Sequence, residues 1–338
     1  MRVRSLGSTV GPAALALLLA MTACGASRDD NTSGGATGGD TKPVTGLRVL
    51  VPNSPGSGYD TTARTAAKAM EDAGLARNIE VFNVAGAGGV VGLQRLVNEK
   101  GSDSLLMQMG LGVVGAVYTN KSKATLNDTT PMARLIQEAE AIVVPAGSPY
   151  NRLQDLVAAW KADPGKVPVG GASAPGGPDH LTPMLLAKAV GVTPKTVNYV
   201  AYDGGGELLA GILGKKVAFA ATGVGEVAEQ AKAGKVKILA VTSDQPVQDV
   251  DAKTLKDQGV DLVFTNWRGM VASGGLAAAK KQELIGLLTK MHDSQQWKAA
   301  LAEKGWTDAF QTGEEFGAFL KTEDQRVAGV LRELGLTT

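Results

Sequence analysis

The residues best placed to do chemistry sit in glycine-rich turns. Pro55-Gly56-Ser57-Gly58-Tyr59-Asp60-Thr61-Thr62 follows the apolar run Leu47-Arg48-Val49-Leu50-Val51 and precedes a helical stretch. Glycine permits tight backbone approach. Free N–H groups at the start of the following helix can face an anion, and Ser57, Thr61 and Thr62 add hydroxyl donors. A charged Asp60 suits a helix cap, or a ligand contact through water, better than direct contact with an anion. A capped helix after a strand is the competing reading of the same segment.

Two further turns carry the same chemistry. Asn83-Val84-Ala85-Gly86-Ala87-Gly88-Gly89 follows a second strand-like run, and Ala172-Ser173-Ala174-Pro175-Gly176-Gly177-Pro178-Asp179-His180 follows a later one. Ala87, Gly88, Ser173, Gly176, Gly177, Asp179 and His180 are therefore candidate cleft residues. Neither turn has the dinucleotide-binding spacing, and no G-x-x-x-x-G-K-[ST] phosphate loop is present. Tyr202 and Gly204, in Tyr202-Asp203-Gly204-Gly205, form a further candidate wall. Trp267 reads as a pocket wall or as a buried support at a hinge. Arg268 reads as a carboxylate partner or as a hinge stabiliser.

Catalysis finds little support. The two histidines, His180 and His292, have no metal-ligand spacing around them. Ser173 has no activating base evident in the sequence. Asp60, Asp179, Asp203 and Glu207 become a metal or acid–base site only by assumption, while capping explains their placement. The expectation is no enzyme, no metal and no cofactor. A ligand-sensing interaction protein of the envelope is the alternative, and an acid–base or metal enzyme acting on an organic acid is a more distant one.

Strand-like runs alternate with helical ones along most of the chain. Strands are expected at residues 47–51, 79–83, 104–109, 141–145, 167–171, 197–200, 217–221 and 237–241, with a transition at 262–270. Helices are expected at 59–73, 90–98, 153–161, 179–190, 207–213, 276–291, 292–304 and 313–334, with Pro183 restricting the start of its helix. This alternation predicts an α/β fold in two lobes, with mixed or largely parallel sheets and helices on both faces. Crossings near 141–145 and 264–267 give lobe one residues 46–141 plus 266–338, and lobe two residues 142–265.

The start of the chain reads differently. Arg2 and Arg4 precede the apolar run Val10 to Ala20, which is shorter than the roughly 20 residues a membrane span needs. Residues 1–23 have the proportions of a signal peptide. The only cysteine, Cys24, follows Met21-Thr22-Ala23. This placement resembles a bacterial lipoprotein signal, with Cys24 as the lipidated residue. Residues 24–45 then read as a flexible glycine-, serine- and threonine-rich tether. Hydrophobic residues make up 44%, enough for a substantial core, and the +1 formal charge gives no nucleic-acid footprint. Membrane association therefore rests on the anchor.

Beyond the turns, Thr193 to Glu207 and Ala231 to Ser243 complete a set of spaced motifs that covers Leu47 to Leu336. With the turns at residues 55–60 and 83–92, this set resembles the substrate-binding proteins of tripartite tricarboxylate transporters. Ser57 stands where the resembling turn often has glycine. The resemblance implies a two-lobed periplasmic-binding-protein fold that captures a small organic carboxylate. It also implies delivery to a two-component transmembrane permease, at the extracytoplasmic face of a bacterial membrane. In that reading the turn at Ser57 receives one carboxylate, the Ser173 turn closes from the other lobe, and Tyr202 to Gly205 form a wall.

Overall fold

The computed structural model describes residues 42–337. The expected signal peptide, Cys24 and the expected tether as far as residue 41 lie outside the described residues. In chain order the elements are β1 (Val44–Thr45), β2 (Arg48–Val51), α1 (Gly58–Asp72), β3 (Ala76–Arg77), β4 (Glu80–Asn83), α2 (Val90–Asn98), β5 (Leu105–Gly110), α3 (Leu111–Thr119) and a long β6 (Thr129–Pro145). They continue with α4 (Leu153–Ala162), β7 (Val169–Gly171), α5 (Pro178–Val190), β8 (Tyr199–Ala201), α6 (Gly205–Leu213), β9 (Phe219–Gly223), α7 (Val224–Lys232) and β10 (Val236–Val241). The chain ends with β11 (Thr265–Ser273), α8 (Ala278–Asp293), α9 (Gln295–Lys304), β12 (Thr307–Thr312) and α10 (Gly313–Glu333).

The strands form a mixed sheet in the order β4-β2-β5-β11-β6-β9-β7-β8, with β10 and β12 also pairing with β6. β2 runs parallel to β4 and β5, while β11 runs antiparallel to both β5 and β6. β6 is the shared element. Its first part, to Ala139, pairs with β11 and β12, and its last residues, from Glu140, pair with β9 and β10. Side chains alternate across a strand. Ile142 accordingly enters a core with Trp160 and Phe219, and Val143 enters one on the other face with Leu208 and Ile212. The part built on β2, β5 and β11 has its own core, including Leu50, Met107, Met270 and Phe316. Helices on both faces explain why β5 is buried at every residue.

Two expectations shift. The expected tether gives way before residue 45, because β1 pairs in parallel with β3. The strand expected at 141–145 is only the end of β6. The helix expected at 179–190 is present as α5, which runs through Pro183 to Val190. Five elements, β1, β3, α3, α7 and β12, lie outside the expected ones. Among the described residues no helix is long and apolar enough to cross a membrane.

Candidate functional site

A cavity of about 300 Å³ opens where the two parts of the sheet face each other. Its walls come from the start of α1 (Ser57, Gly58, Tyr59), the turn before α2 (Ala85 to Gly88), Gly112 of α3, the start of α5 (Ala172 to Ala174, Gly177 to Asp179) and the start of α6 (Tyr202 to Gly205). Asn53 and Ser54, Glu226 on α7, and Asn266 and Arg268 on β11 complete it. The starts of four helices thus converge on one space. First-turn amides lack intrahelical acceptors, and the positive end of each helix dipole points the same way.

Local chemistry explains each wall. Ser57 caps α1, its hydroxyl accepting from the Asp60 amide at 3.3 Å. The Tyr59 hydroxyl accepts from the Gly112 amide at 2.9 Å, which ties α1 to α3. Burial pushes that phenol up to about 12, against an opposing pull from Arg268. Asp179 accepts from the Ala172 amide at 2.7 Å and from the Ser173 hydroxyl at 2.9 Å, fixing the turn before α5. Burial and then the neighbouring Glu226 carboxylate raise Asp179 to about 7.

Arg268 lies at the back of the cavity, 4% exposed. It pairs with Glu138 of β6, sits 4.0 Å from Glu226 and donates to Thr62 Oγ1 at 3.3 Å. A Cβ on Gly58 would collide with its guanidinium. Glycine at that position is therefore what lets the arginine in. Burial lifts Glu138 to about 7 although Arg268 pulls it down. Deeper in β6, Glu140 is held well above the usual carboxylate range by burial and by the carboxylates of Asp179 and Glu138, and neither of its oxygens has a partner.

Ten of the sequence-derived candidates line this cavity: Ser57, Gly58, Tyr59, Ala87, Gly88, Ser173, Gly177, Asp179, Tyr202 and Gly204. Five do not. Asp60 is turned away, accepting from the Gly56 amide, Arg64 and Asn83. Burial raises its carboxyl, but those hydrogen bonds, led by Arg64, outweigh burial and hold it low. Thr61 faces a neighbouring cavity on the other side of Arg268. Gly176 is buried at a close approach to Gly115 of α3. His180 is buried edge-on to Tyr199 at 4.8 Å and accepts from the Gly176 amide at 3.3 Å. Burial lowers it to about 4, so it is a neutral packing group.

Trp267 is 1% exposed and points the other way, donating to Glu323 at 2.8 Å and packing edge-on to Phe316 and Phe319 of α10. Strand alternation accounts for this, since Asn266 and Arg268 on either side of it share the opposite face. The same alternation was the signal that would have found Asn266 and turned Arg268, already a candidate, into the cavity. Glu226 had no such signal. Among the described residues no cluster of three or more His, Cys, Asp or Glu is arranged to hold a metal.

The two sides of the cavity touch at one edge. Thr119 of α3 donates to the Pro175 carbonyl at 3.1 Å, and Gly115 and Gly176 meet backbone to backbone. Any side chain on Gly115 would drive into the Gly176 carbonyl. Overpacking of this kind costs about 1–3 kcal/mol. Gly115→Leu is therefore expected to part the two sides, raising the radius of gyration in small-angle scattering and lowering stability in urea titrations by about 1–3 kcal/mol. An unchanged scattering profile would show that this contact does not set the spacing.

The titration of the cavity gives a second expectation. Asp179, raised from its ordinary 3.8 to about 7, binds more protons folded than unfolded between those values. Its contribution is fully present below about pH 4 and is lost as pH rises to about 7. His180 is lowered from 6.5 to about 4 and has the opposite slope over its own window. Substitution at Asp179 leaves that slope in place. Asp179→Asn should thus gain stability relative to the parent as pH rises from 4 to 7 in urea titrations. Parallel curves would mean that Asp179 titrates in the fold as it does in solution.

Similar proteins point in one direction. The model of the tripartite tricarboxylate transporter family receptor matches residues 62–336. Protein BugT of Bordetella pertussis is 28% identical over 310 residues, 88% of this chain and 91% of that protein. A TctC solute binding protein from Polaromonas superposes with a TM-score of 0.64 at 26% identity, covering 87% of this chain and all of that one. MatC of Rhodopseudomonas palustris, solved with bound malate, superposes with a TM-score of 0.75 at 21% identity over 86% of this chain and 99% of that one.

Proposed function

The chain belongs to the tripartite tricarboxylate transporter receptor family, and from that premise we propose that its cavity captures a small organic carboxylate for delivery to the membrane permease of such a system. Receptors of this family work outside the cytoplasm. One observation carries the ligand class: the starts of α1, α3, α5 and α6 and the Ala87-Gly88 turn converge on one cavity of about 300 Å³. The amides of Gly58 and Tyr59 open α1, and that of Gly205 opens α6. A carboxylate in this cavity accepts their hydrogen bonds at the positive ends of the helices. The malate held by MatC is a ligand of this class.

In this reading residues 46–141 with 266–338 move as one lobe and residues 142–265 as the other. A ligand touching both sides favours the closed population. Cys24 carries a lipid that keeps the receptor at the membrane surface, with the following residues as its leash. In calorimetry, mono-, di- and tricarboxylates with their matched amides are expected to divide cleanly. At least one carboxylate binds with one-to-one stoichiometry and without turnover, and its amide does not. Failure of every carboxylate to bind the folded protein would sink the reading. Mass analysis of the membrane-extracted protein tests the anchor separately, since a mature chain lacking a modified Cys24 would exclude it.

A further inference from the structure

The charges lining the cavity do not match a ligand that is negative at both ends. Among the described residues Arg268 is the one cation on its walls, and it is already committed to Glu138, with Glu226 4.0 Å away. Asp179, Asp203 and Glu226 also line the cavity. A second ligand carboxylate would meet no free cation and at least two fixed carboxyl groups. Like charges brought together in a partly desolvated site repel strongly.

An independent observation points to what is missing. Asn266 is 3% exposed and lines the cavity, yet its side-chain oxygen has no partner in the protein. A buried acceptor without a donor costs free energy, so the cavity is short of a hydrogen-bond donor at Asn266. The amides of Gly58 and Tyr59, at the start of α1 where Glu226 and Arg268 approach Gly58, are short of an acceptor.

Resting on the carboxylate-receptor reading and narrowing it, we propose that the ligand of this receptor is an amino-carboxylate. Its carboxylate lies on the amides at the start of α1, and its protonated nitrogen lies against Asp179, Glu226 and the Asn266 oxygen. Such a ligand supplies a donor to the Asn266 oxygen and an acceptor to the amides that open α1, and brings no net charge into the cavity. A charge-assisted hydrogen bond from ammonium to Asp179 also leaves intact the bonds that carboxylate accepts from Ala172 and Ser173, since each carboxylate oxygen takes more than one donor.

The test is calorimetry at pH 7 on the full receptor with sets of equal spacer. These are β-alanine, succinate and propanoate; 4-aminobutanoate, glutarate and butanoate; and 5-aminopentanoate, adipate and pentanoate, with neutral L-α-amino acids alongside. The expected result is that an amino acid binds at least about tenfold tighter than its dicarboxylate and monocarboxylate partners. Asp179→Asn and, separately, Glu226→Gln should reduce that preference about tenfold.

Repeating the titration in buffers of different ionisation enthalpy gives a readout that needs no variant. Asp179 faces Glu226, Glu138 and Glu140 as like charges, Arg268 as the opposite one, and the buried Tyr59, Tyr199 and neutral His180. An ammonium set among these groups expels protons, whereas a second carboxylate takes them up. Tighter binding of a dicarboxylate, with proton uptake, overturns the amino-carboxylate assignment and leaves the carboxylate receptor standing. Binding by none of the three sets overturns both.

Discussion

The buried pairing of Arg268 with Glu138 is the constraint on which the rest of the site depends. Both side chains are almost fully buried. The pair joins β11 to β6, the strand that belongs to both parts of the sheet. α1 contributes Thr62 to the guanidinium and leaves room for it at Gly58, while α7 brings Glu226 to its other side. Removing two such charges from water costs several kcal/mol for each ion, and losing one partner of a buried pair destabilises by about 3–5 kcal/mol. Four elements are therefore held in mutual register by an interaction that tolerates no half measure. The cation at the back of the cavity is structural before it is functional, because its charge is already answered.

How far the site could be read from the sequence follows from the range of the signals. The turns at Ser57, Ala87 and Ser173 were legible because they are local: glycine, proline and a capping hydroxyl between an apolar run and a helix define them within a few residues. Most of what those turns contribute to the cavity follows from the turns themselves. The exceptions within them, Asp60, Thr61, Gly176 and His180, differ from their neighbours only in which way one residue faces. His180 packs on Tyr199 and Gly176 meets Gly115, contacts between residues far apart in the chain.

The deeper wall was hidden for another reason. Glu138 and Glu140 lie in a stretch of β6 that was not read as strand, and Glu226 lies in α7, which was not read as helix. α3 escaped notice because it is buried on nearly every side and so shows no amphipathic stripe. At β11 the aromatic drew attention to Trp267, and the strand period that sends it towards α10 also sends Asn266 and Arg268 into the cavity. The strand-and-helix grammar gave the fold, but the charge of the site came from pairings that only the sheet register reveals.

Backbone and side chain divide the work of recognition in this arrangement. The amides at the helix starts are fixed by the fold. They offer an anion the same donors whatever residues surround them, and on their own they specify little more than negative charge. Selectivity must then come from the charged side chains among those amides, Asp179 and Glu226, with the nearby cation Arg268 already spent. A carboxyl buried there has two ways to lower its free energy, by keeping a proton or by gaining a positive partner. Asp179, raised to about 7, is poised between them. The same desolvation that makes the empty cavity costly makes it responsive to the charge of what enters, so the fold's own strain becomes the means by which it reads its ligand.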